Sequence, residues 1–363
     1  MIVVGIPTYN EADNIARLTH QVDAAALALG ISITIVNADS ASVDETSEVF
    51  LGTPTHCPKV SIKNSEKGKG RNIATILQWV VEASEADGCV LIDGDVTSFE
   101  PEWLARHTEL LLNDADYTIP TYSRNYQEGN TTNHFVYPLV GVHSSGKAPR
   151  QPISGDFGIS RRFAKHLIKQ QWHEYTWGYG IDIFMTLHAL YGSFNVAEVL
   201  LSKKVHKPSF DKMIPMFTEV AASYYATMRL LKDTYAGKVH LTTIKRAPEL
   251  IATTPLSTAK ITERRVVAQK VYDESKENSC VPELDAMFCN EVGFMQWAQI
   301  LIAHELKIAT VDPLVLARSI LPWYLLRVVF YLQKNKTPLH ATREIDKQFQ
   351  YVVKLWQYEA HSH

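Results

Sequence analysis

The first 120 residues alternate short apolar runs with longer stretches of helical periodicity. Short apolar runs bounded by polar residues are typical of strands buried in a parallel sheet. The predicted strands are Ile2–Ile6, Ile31–Val36, Val60–Ile62, Val90–Ile92 and Tyr117–Pro120. The predicted helices between them are Ala12–Leu29, Val43–Phe50, a segment from about Gly68 to Val81, and Glu102–Leu112. This alternation predicts an α/β fold, with a mostly parallel, Rossmann-like sheet and helices on both faces.

After residue 121 the pattern changes. Between 121 and 207 it is mixed, with a loop rich in Gly, Asn and Thr at Glu128–Asn133, a helix predicted at Ile181–Leu190 and a strand predicted at Phe194–Leu201. Beyond Ser209 helical periodicity dominates, at Met213–Tyr235, Pro282–His304, Pro313–Gln333 and Ala341–Tyr358. We therefore predict an α/β domain over 1–208 and a mainly helical domain over 209–363. The apolar stripes of these helices suit either a homodimer or an intrachain core.

Composition narrows the class of protein. The chain of 363 residues is 46% hydrophobic and 21% charged, as in ordinary soluble proteins. A net charge of -3 argues against a dedicated nucleic-acid binder. We find no apolar run of transmembrane length and no signal peptide before the first strand. The four cysteines form no CxxC pair, so reduced thiols and a cytoplasmic location are expected.

Two carboxylates stand where the fourth predicted strand ends. Asp93, Gly94 and Asp95 follow the apolar run Cys89–Ile92. In open α/β sheets, ligands bind outside the carboxyl ends of the strands. Hard carboxylate oxygens there suit Mg²⁺ or Mn²⁺ that holds a diphosphate. Taken alone, however, an Asp-x-Asp sequence also fits a solvated turn.

A short basic loop precedes the third predicted helix. In Gly68-Lys69-Gly70-Arg71-Asn72 the glycines allow close backbone approach, the helix N-terminus favours anions, and Lys69 adds a point charge. Such a loop alone equally fits a solvated basic turn. It lies along the chain between the loop after the first strand and the Asp-x-Asp pair, which favours diphosphate binding.

Several motifs together resemble a known family. VVGIPTYNEADNI, NADSASVDET, GKGRN and DGD, in this order over the first hundred residues, resemble nucleotide-sugar-dependent glycosyltransferases of the GT-A fold. QPISGDFGIS (151–160), WGYGIDIFMTL (177–187) and KVHKPSF (204–210) are similar to the retaining enzymes that make mannosylglycerate and glucosyl-3-phosphoglycerate. DGDVTSFEPEWL is nearer the mannosylglycerate synthase version. The resemblance covers about residues 1–210 by motif.

The resemblance implies a nucleotide site and a metal site. The implied nucleotide contacts are Pro7, Tyr9, Asn10, Glu11, Asp39, Ser40, Lys69, Asp93 and Gly94. For Asn10 a helix cap is the alternative. Asp95 is the first implied metal ligand, His206 matches the family's metal-binding histidine, and Asp93 is a further ligand or a ribose contact. The implied cofactor is Mg²⁺ or Mn²⁺, and the imidazole favours Mn²⁺.

The resemblance also implies residues around the two sugars. Gln151, Gly155 and Asp156 would line the donor sugar, with Asp156 where the family places an acidic residue. The implied acceptor contacts are Arg124, Thr131, Thr132, Trp177, Gly180 and Asp182. For Asp182 a favourable helix N-terminal position is the alternative.

The implied reaction is metal-dependent transfer of a hexose from GDP-mannose or UDP-glucose to a small hydroxy acid such as D-glycerate or 3-phosphoglycerate. The resemblance implies retention, in which the leaving phosphate accepts the acceptor's proton. Asp95, Asp156 and Asp182 are the catalytic candidates, and inversion would need Asp156 or Asp182 as a base. Two alternatives stay open: an inverting transferase with a lipid or polysaccharide acceptor, and a nucleotide-sugar-binding scaffold.

Overall fold

The computed structural model describes residues 1–144, 146–205, 213–231, 239–244, 248–252, 256–275, 279–282 and 291–360. These residues separate into two compact units. The first comprises the described residues of Met1–Tyr122, Ile153–Phe210 and Thr234–Ala247. The second comprises those of Ser123–Pro152, Asp211–Asp233 and Pro248–His363. Both units are discontinuous along the chain, so they differ from the predicted division into 1–208 and 209–363. The difference arises because the helix within Ser123–Pro152 packs against the C-terminal helix.

The first unit is built on an eight-stranded sheet. Its strands are β1 (Ile2–Thr8), β2 (Ile33–Ser40), β3 (Lys59–Asn64), β4 (Gly88–Leu91), β5 (Tyr117–Ser123), β6 (Gly158–Ser160), β7 (Val196–Lys203) and β8 (Leu241–Thr242). They lie in the order β3-β2-β1-β4-β6-β5-β7-β8. Strands β3, β2, β1 and β4 are mutually parallel, β6 is antiparallel to both β4 and β5, and β8 is parallel to β7.

Helices of the first unit cover both faces of this sheet. In chain order the first seven are α1 (Ile15–Leu29), α2 (Thr46–Gly52), α3 (Lys69–Glu82), α4 (Pro101–Leu112), α5 (Tyr137–His143), α6 (Arg161–Leu167) and α7 (Ile181–Tyr191), of which α5 belongs to the second unit. Successive residues of β1 face opposite sides. Val4 belongs to a core shared with α1 and α4, whereas the Cα of Gly5 faces Ile76 of α3.

The predicted fold is confirmed, with two short strands, β6 and β8, added to the six predicted ones. Each predicted strand and helix of the first 120 residues is present, and so are the helix and strand predicted after residue 180. Strand β6 was not predicted, because it has only three residues in a glycine-containing segment. A Cβ on Gly158 would lie 2.1 Å from the Thr118 hydroxyl, so this position in the β5–β6 pair needs glycine.

The second unit is helical in its described part. Besides α5 it contains α8 (Met213–Leu231), α9 (Thr258–Ser275), α10 (Phe294–Glu305), α11 (Pro313–Lys334) and α12 (Pro338–Ala360). Helix α11 packs against α8, α9 and α10. Buried Arg327 of α11 pairs with Glu344 of α12 at 2.6 Å. The helix predicted at Pro282–His304 begins only at Phe294, and residues 283–290 lie outside the described part.

Helix α11 has the length and composition of a membrane span, which the sequence interpretation did not identify. By these two criteria Pro313–Lys334 could cross a bilayer, with a mean hydropathy of 1.4. In the second unit 78% of its apolar window is buried, as in the core helix of a folded domain. Helices α8, α9 and α10 pack around α11, so apolar residues are needed on most sides of it. This packing explains why its composition resembles that of a membrane span.

The described cysteines carry free thiols, as predicted. Cys57, Cys89 and Cys280 are unpaired, and Cys289 lies outside the described residues. Burial raises the pKa of the Cys89 thiol to about 12. Burial and the neighbouring Asp23 raise that of Cys57 to about 11. Because the thiolate is the reactive form, neither is activated as a nucleophile.

Candidate active site

The loops after β1, β2 and β4 are joined by hydrogen bonds at one edge of the sheet. The Gly94 N–H donates to the Pro7 carbonyl at 3.2 Å. A Cβ on Gly94 would lie 2.9 Å from that carbonyl and 2.7 Å from a Thr8 methyl, so the close approach needs glycine. The amide of Asn14 donates to the Gly94 and Val96 carbonyls at 2.7 and 3.0 Å. The Asp-x-Asp loop is thereby fixed against the β1 loop.

The predicted nucleotide contacts of the β1 loop lie beside the β2 loop. Asn10 has a φ of 56°, its N–H donates to the Ser42 hydroxyl at 2.7 Å, and its side-chain oxygen accepts from Val43 N–H at 3.0 Å. The N–H of Glu11 donates to the Thr46 hydroxyl at 2.9 Å. Tyr9 is 36% exposed. Asn10 thus fixes the loop, and the Lys67 ammonium lies 4.0 Å from the centroid of the partly exposed Tyr9 ring.

Asp39 and Ser40 end β2 and are buried. Their side chains already form hydrogen bonds with other protein groups. Asp39 accepts from the hydroxyls of Thr8 (3.1 Å) and Ser42 (2.6 Å) and from the Ser42 N–H (2.9 Å). Ser40 donates to the Gly68 carbonyl at 3.0 Å. Both residues therefore tie neighbouring loops together at the edge where a nucleotide was predicted.

The basic loop begins α3, as predicted, and lies against the turn that precedes α7. A Cβ on Gly70 would lie 1.9 Å from the Thr176 carbonyl, and one on Gly68 2.3 Å from the Trp177 carbonyl. The Gly70 N–H donates to the Gly178 carbonyl at 3.2 Å. The glycines therefore serve close backbone packing here. Lys69 is the first helical residue, so its ammonium adds to the positive end of the α3 dipole.

Lys69 joins Asp93, a predicted nucleotide and metal contact, to Asp182, a predicted catalytic and acceptor residue. Its Nζ lies 3.0 Å from Asp93 Oδ1 and 3.2 Å from Asp182 Oδ2. Within the described structure, the buried Oδ1 of Asp182 has no hydrogen-bond partner. That oxygen is available to accept a hydrogen bond from a ligand hydroxyl.

A second lysine, Lys204, completes the cluster from the end of β7. Its Nζ lies 2.9 Å from Asp93 Oδ2, 2.5 Å from Asp156 Oδ2 and 3.1 Å from the Ser154 carbonyl. Asp156 also accepts from the Asp93 N–H at 2.7 Å and from the Tyr122 hydroxyl at 2.8 Å. We call Lys69, Asp93, Asp156, Asp182 and Lys204 the carboxylate–lysine cluster.

The electrostatics of the cluster set its protonation. Burial alone would raise the pKa of Asp93, but Lys204 and Lys69 outweigh it and hold that pKa well below its usual range. Burial alone would lower the pKa of Lys69, but Asp182 and Asp93 raise it. Burial raises the pKa of Asp182, with Lys69 opposing the shift and Asp93 adding to it. Asp93 and Lys69 are therefore charged at neutral pH.

The predicted metal ligands are described only in part. His206 lies outside the described residues, and Asp95 is half-buried two residues after Asp93. Among the residues that the structure describes, no group of three or more His, Cys, Asp or Glu side chains could hold a metal ion. Mg²⁺-type sites often use one or two carboxylates together with substrate phosphate oxygens. Asp95 supplies one such carboxylate. Both oxygens of Asp93 contact lysines.

The predicted sugar and acceptor residues divide between the two units. Gly155, Asp156, Trp177, Gly180 and Asp182 belong to the first unit, and Gln151, Arg124, Thr131 and Thr132 to the second. The Trp177 indole stacks on Trp172, with ring centroids 4.9 Å apart. Thr131 is buried, with its hydroxyl 2.9 Å from that of Tyr324, and Thr132 begins a π-helical turn instead of lying in an open loop. The predicted loop Glu128–Asn133 is thus partly helical, because its residues pack in the core of the second unit.

Lys204 and Tyr122 were missed by the sequence interpretation. Lys204 stands between Lys203 and His206 in KKVHK, and nothing in that basic run shows which lysine points inward. Burial distinguishes them, since Lys203 is exposed and Lys204 is buried. Tyr122 lies in β5, where an aromatic residue indicates core packing. A buried lysine needs a carboxylate partner, so the role of Lys204 is evident only once its burial is known.

Part of the chain that carries this site is similar to known glycosyltransferases. Residues 3–165 match the family model described as glycosyl transferase family 2. An uncharacterized glycosyltransferase of Synechocystis sp. is 25% identical over 170 residues, which are 46% of this chain and 51% of that protein. The dolichol-phosphate mannosyltransferase of Pyrococcus furiosus is 29% identical over 171 residues, 44% and 46% of the two lengths. The chain thus spans about half the length of the curated relatives it matches.

Solved structures agree on the fold. Glucosyl-3-phosphoglycerate synthase from Mycobacterium tuberculosis, in complex with Mg²⁺ and uridine diphosphate, has a TM-score of 0.51 at 21% identity. The likeness covers 62% of this chain and 79% of that one. Its complex with Mn²⁺, UDP-glucose and phosphoglyceric acid gives the same values. The predicted GT-A fold and the predicted resemblance to these glycosyltransferases are confirmed.

Proposed function

We propose that this protein is a glycosyltransferase that moves a hexose from a nucleoside diphosphate sugar to a small hydroxy acid. D-glycerate and 3-phosphoglycerate are the proposed acceptors, and GDP-mannose and UDP-glucose the proposed donors. The main support is the carboxylate–lysine cluster. Its Asp93 and Lys69 are in contact, and both belong to the segment that matches glycosyl transferase family 2. A relative of the same fold was crystallised with UDP-glucose and phosphoglyceric acid.

Lys69 is the proposed diphosphate contact. Its ammonium lies at the N-terminus of α3, where the helix dipole also favours an anion. Asp95, together with phosphate oxygens, would hold the Mg²⁺ or Mn²⁺ ion. When bound, that ion offsets the charge that develops on the leaving diphosphate. Lys69 at the start of α3 and the ion held by Asp95 after β4 would thus both stabilise the negative charge of the leaving diphosphate.

Asp182 is the proposed contact for a sugar or acceptor hydroxyl. Its Oδ2 is held by Lys69, and its buried Oδ1 has no protein partner within the described residues. An unsatisfied buried carboxylate oxygen costs about 1–3 kcal/mol, which a hydroxyl donor would relieve. Asp156 differs, because protein groups engage both of its oxygens. We therefore favour a positioning role for Asp156 over the direct sugar contact predicted from the sequence.

We propose that the reaction retains the anomeric configuration. Retention through the leaving phosphate needs no protein nucleophile, and Asp93 and Asp156 each have both oxygens engaged. Inversion would require a protein base, for which Asp182 is the better placed of the two predicted candidates. NMR of the product's anomeric proton distinguishes the two outcomes.

A donor-by-acceptor matrix tests the proposal. Purified protein with Mg²⁺ or Mn²⁺ would be given GDP-mannose, UDP-glucose, GDP-glucose or ADP-glucose, each with D-glycerate, 3-phosphoglycerate or no acceptor. We expect acceptor-dependent release of nucleoside diphosphate in one combination, and its loss in Asp95→Ala and His206→Ala. Donor binding without release for any acceptor would favour the scaffold alternative. Full activity in both variants would refute the metal-ligand assignment.

A lipid phosphate is the second candidate acceptor. One curated relative is a dolichol-phosphate mannosyltransferase, and α11 has the length and composition of a membrane span. The matrix therefore includes polyprenyl phosphate in detergent. Transfer to that acceptor alone would replace the hydroxy-acid proposal. The homodimer and the cytoplasmic location stay predictions, for which sedimentation and fractionation of cells are the direct measurements.

A further inference from the structure

Lys204 is more tightly held than Lys69, the other lysine of the carboxylate–lysine cluster. Its side chain is 5% exposed. A lysine ammonium has three N–H donors, and the three oxygens around Lys204 Nζ, from Asp93, Asp156 and Ser154, accept them at 2.5–3.1 Å. The Tyr122 ring lies 5.6 Å from the same Nζ. Fixed geometry of this kind is typical of a structural cation in a low-dielectric site.

The position of Lys204 determines what Asp93 can do. Asp93 is held by Lys204 at one oxygen and by Lys69 at the other, and its own N–H is bound to Asp156. A divalent cation that used Asp93 as a ligand would have to displace an ammonium. Asp156 is also fully engaged, because its side chain is buried and both of its oxygens accept hydrogen bonds.

We propose that Lys204 is a positioning residue that acts as a built-in counter-ion for Asp93 and Asp156 and keeps Asp93 out of direct metal coordination. The inference deepens the proposed function and rests on it. Asp95 is then the Asp-x-Asp residue that contacts the metal ion, and Asp93 instead orients Lys69. Lys204 acts through Asp93, so its removal changes metal binding as well as turnover.

The first experiment measures Mn²⁺ binding to the full chain by electron paramagnetic resonance of the free ion, without donor or acceptor. In Lys204→Met, Asp93 loses its ammonium at Oδ2 and becomes available as a ligand. We expect the Mn²⁺ affinity to rise by about tenfold, because one nearby positive charge is removed and one carboxylate is released. In the turnover assay the same variant should lose kcat, while the KM for donor changes less.

Two variants supply controls for charge and geometry. Lys203→Met removes the same charge one residue away at an exposed position, so its Mn²⁺ affinity should equal that of the wild type. Lys204→Arg keeps the charge and should also keep the wild-type affinity. An increase in Lys203→Met as large as in Lys204→Met would overturn the inference, because the effect would then be general electrostatics.

A double variant covers the case in which Lys204→Met does not fold. Asp156→Asn with Lys204→Met removes one charge of each sign and still frees Asp93, so it should fold and bind Mn²⁺ more tightly than the wild type. Unchanged or weaker binding in this folded variant would refute the inference. The Mn²⁺ titration needs no turnover: a wild type that binds Mn²⁺ and transfers no sugar would refute the proposed function alone.

Discussion

Gly155→Ala is the sharpest perturbation of the carboxylate–lysine cluster, because it adds one methyl group beside Asp93. An added Cβ would lie 2.3 Å from Asp93 Oδ2, 3.2 Å from Asp93 Cγ and 3.1 Å from Lys204 Nζ. Ordinary van der Waals contact begins at 3.4 Å. The Asp93 carboxylate would therefore have to retreat by about 1 Å, since atoms in a packed interior cannot overlap.

The expected loss of stability in Gly155→Ala has two contributions. Gly155 has a φ of 71°, and alanine in the left-handed region costs about 1 kcal/mol. The retreat of Asp93 would also stretch its 2.9 Å hydrogen bond to Lys204, and a hydrogen bond between charged groups contributes about 1.5–3 kcal/mol. We expect the free energy of unfolding to fall by about 3 kcal/mol in total. A displacement of about 1 Å in the site should lower kcat by roughly a hundredfold.

Gly30 provides the matched control. It ends α1 with a φ of 64°, and nothing lies within 4 Å of an added Cβ. Gly30→Ala should therefore show only the conformational cost, about 1 kcal/mol, with unchanged turnover. Urea denaturation and steady-state kinetics compare the two variants. If Gly155→Ala is no less stable than Gly30→Ala and retains its kcat, the close approach of Gly155 to Asp93 is refuted.

Two further predictions concern a ligand contact and a titrating group. Lys69→Met should weaken binding of the nucleoside diphosphate sugar by about tenfold in calorimetry, since one phosphate contact is lost; unchanged affinity would remove Lys69 from the diphosphate path. Although burial opposes it, hydrogen bonds from the Cys57 and His56 N–H groups lower the pKa of Asp23 to about 2. Asp23→Asn should thus reduce stability by about 1–2 kcal/mol at pH 7, and the difference from wild type should shrink as pH falls from about 4 to 2, where Asp23 becomes protonated in both states. Urea titrations at several pH values measure this difference, and one that is as large at pH 2 as at pH 7 would contradict the assignment.

Local patterns predicted the architecture well where each element is long enough to carry its own period. The parallel strands β1 to β4 and their helices each have a clear apolar signature, and all were predicted. Strand β6 has three residues, too few for a period, and its place between β4 and β5 depends on long-range pairing. Helix α5 (Tyr137–His143) belongs to the second unit because it packs against α12. No local sequence pattern encodes that contact.

The site was predictable to the extent that residue type limits chemistry. Asp93, Lys69 and Asp182 were predicted from separate motifs, and the structure brings them within direct contact. Their sequence separation is large, so only the fold could establish the ion pairs. Lys204 could not be chosen over its neighbour Lys203, because β7 ends at Lys203 and the direction of the next side chain depends on where the strand ends. Sequence identifies candidate charges, whereas burial decides which charges compensate one another.

The two lysines of the cluster differ in a way that assigns them different tasks. Three carboxylates, Asp93, Asp156 and Asp182, are balanced by two ammonium groups, which leaves one negative charge. Lys69 is 20% exposed and holds its partners at 3.0 and 3.2 Å, whereas Lys204 is 5% exposed and reaches 2.5 Å. In the proposed function, a diphosphate would therefore compete for Lys69 more readily than for Lys204. Such an exchange would release the Asp182 carboxylate, whose other oxygen already has no partner among the described residues, at the moment when the donor binds. Donor binding would thus prepare Asp182 for a substrate hydroxyl, while Lys204 keeps Asp93 and Asp156 fixed.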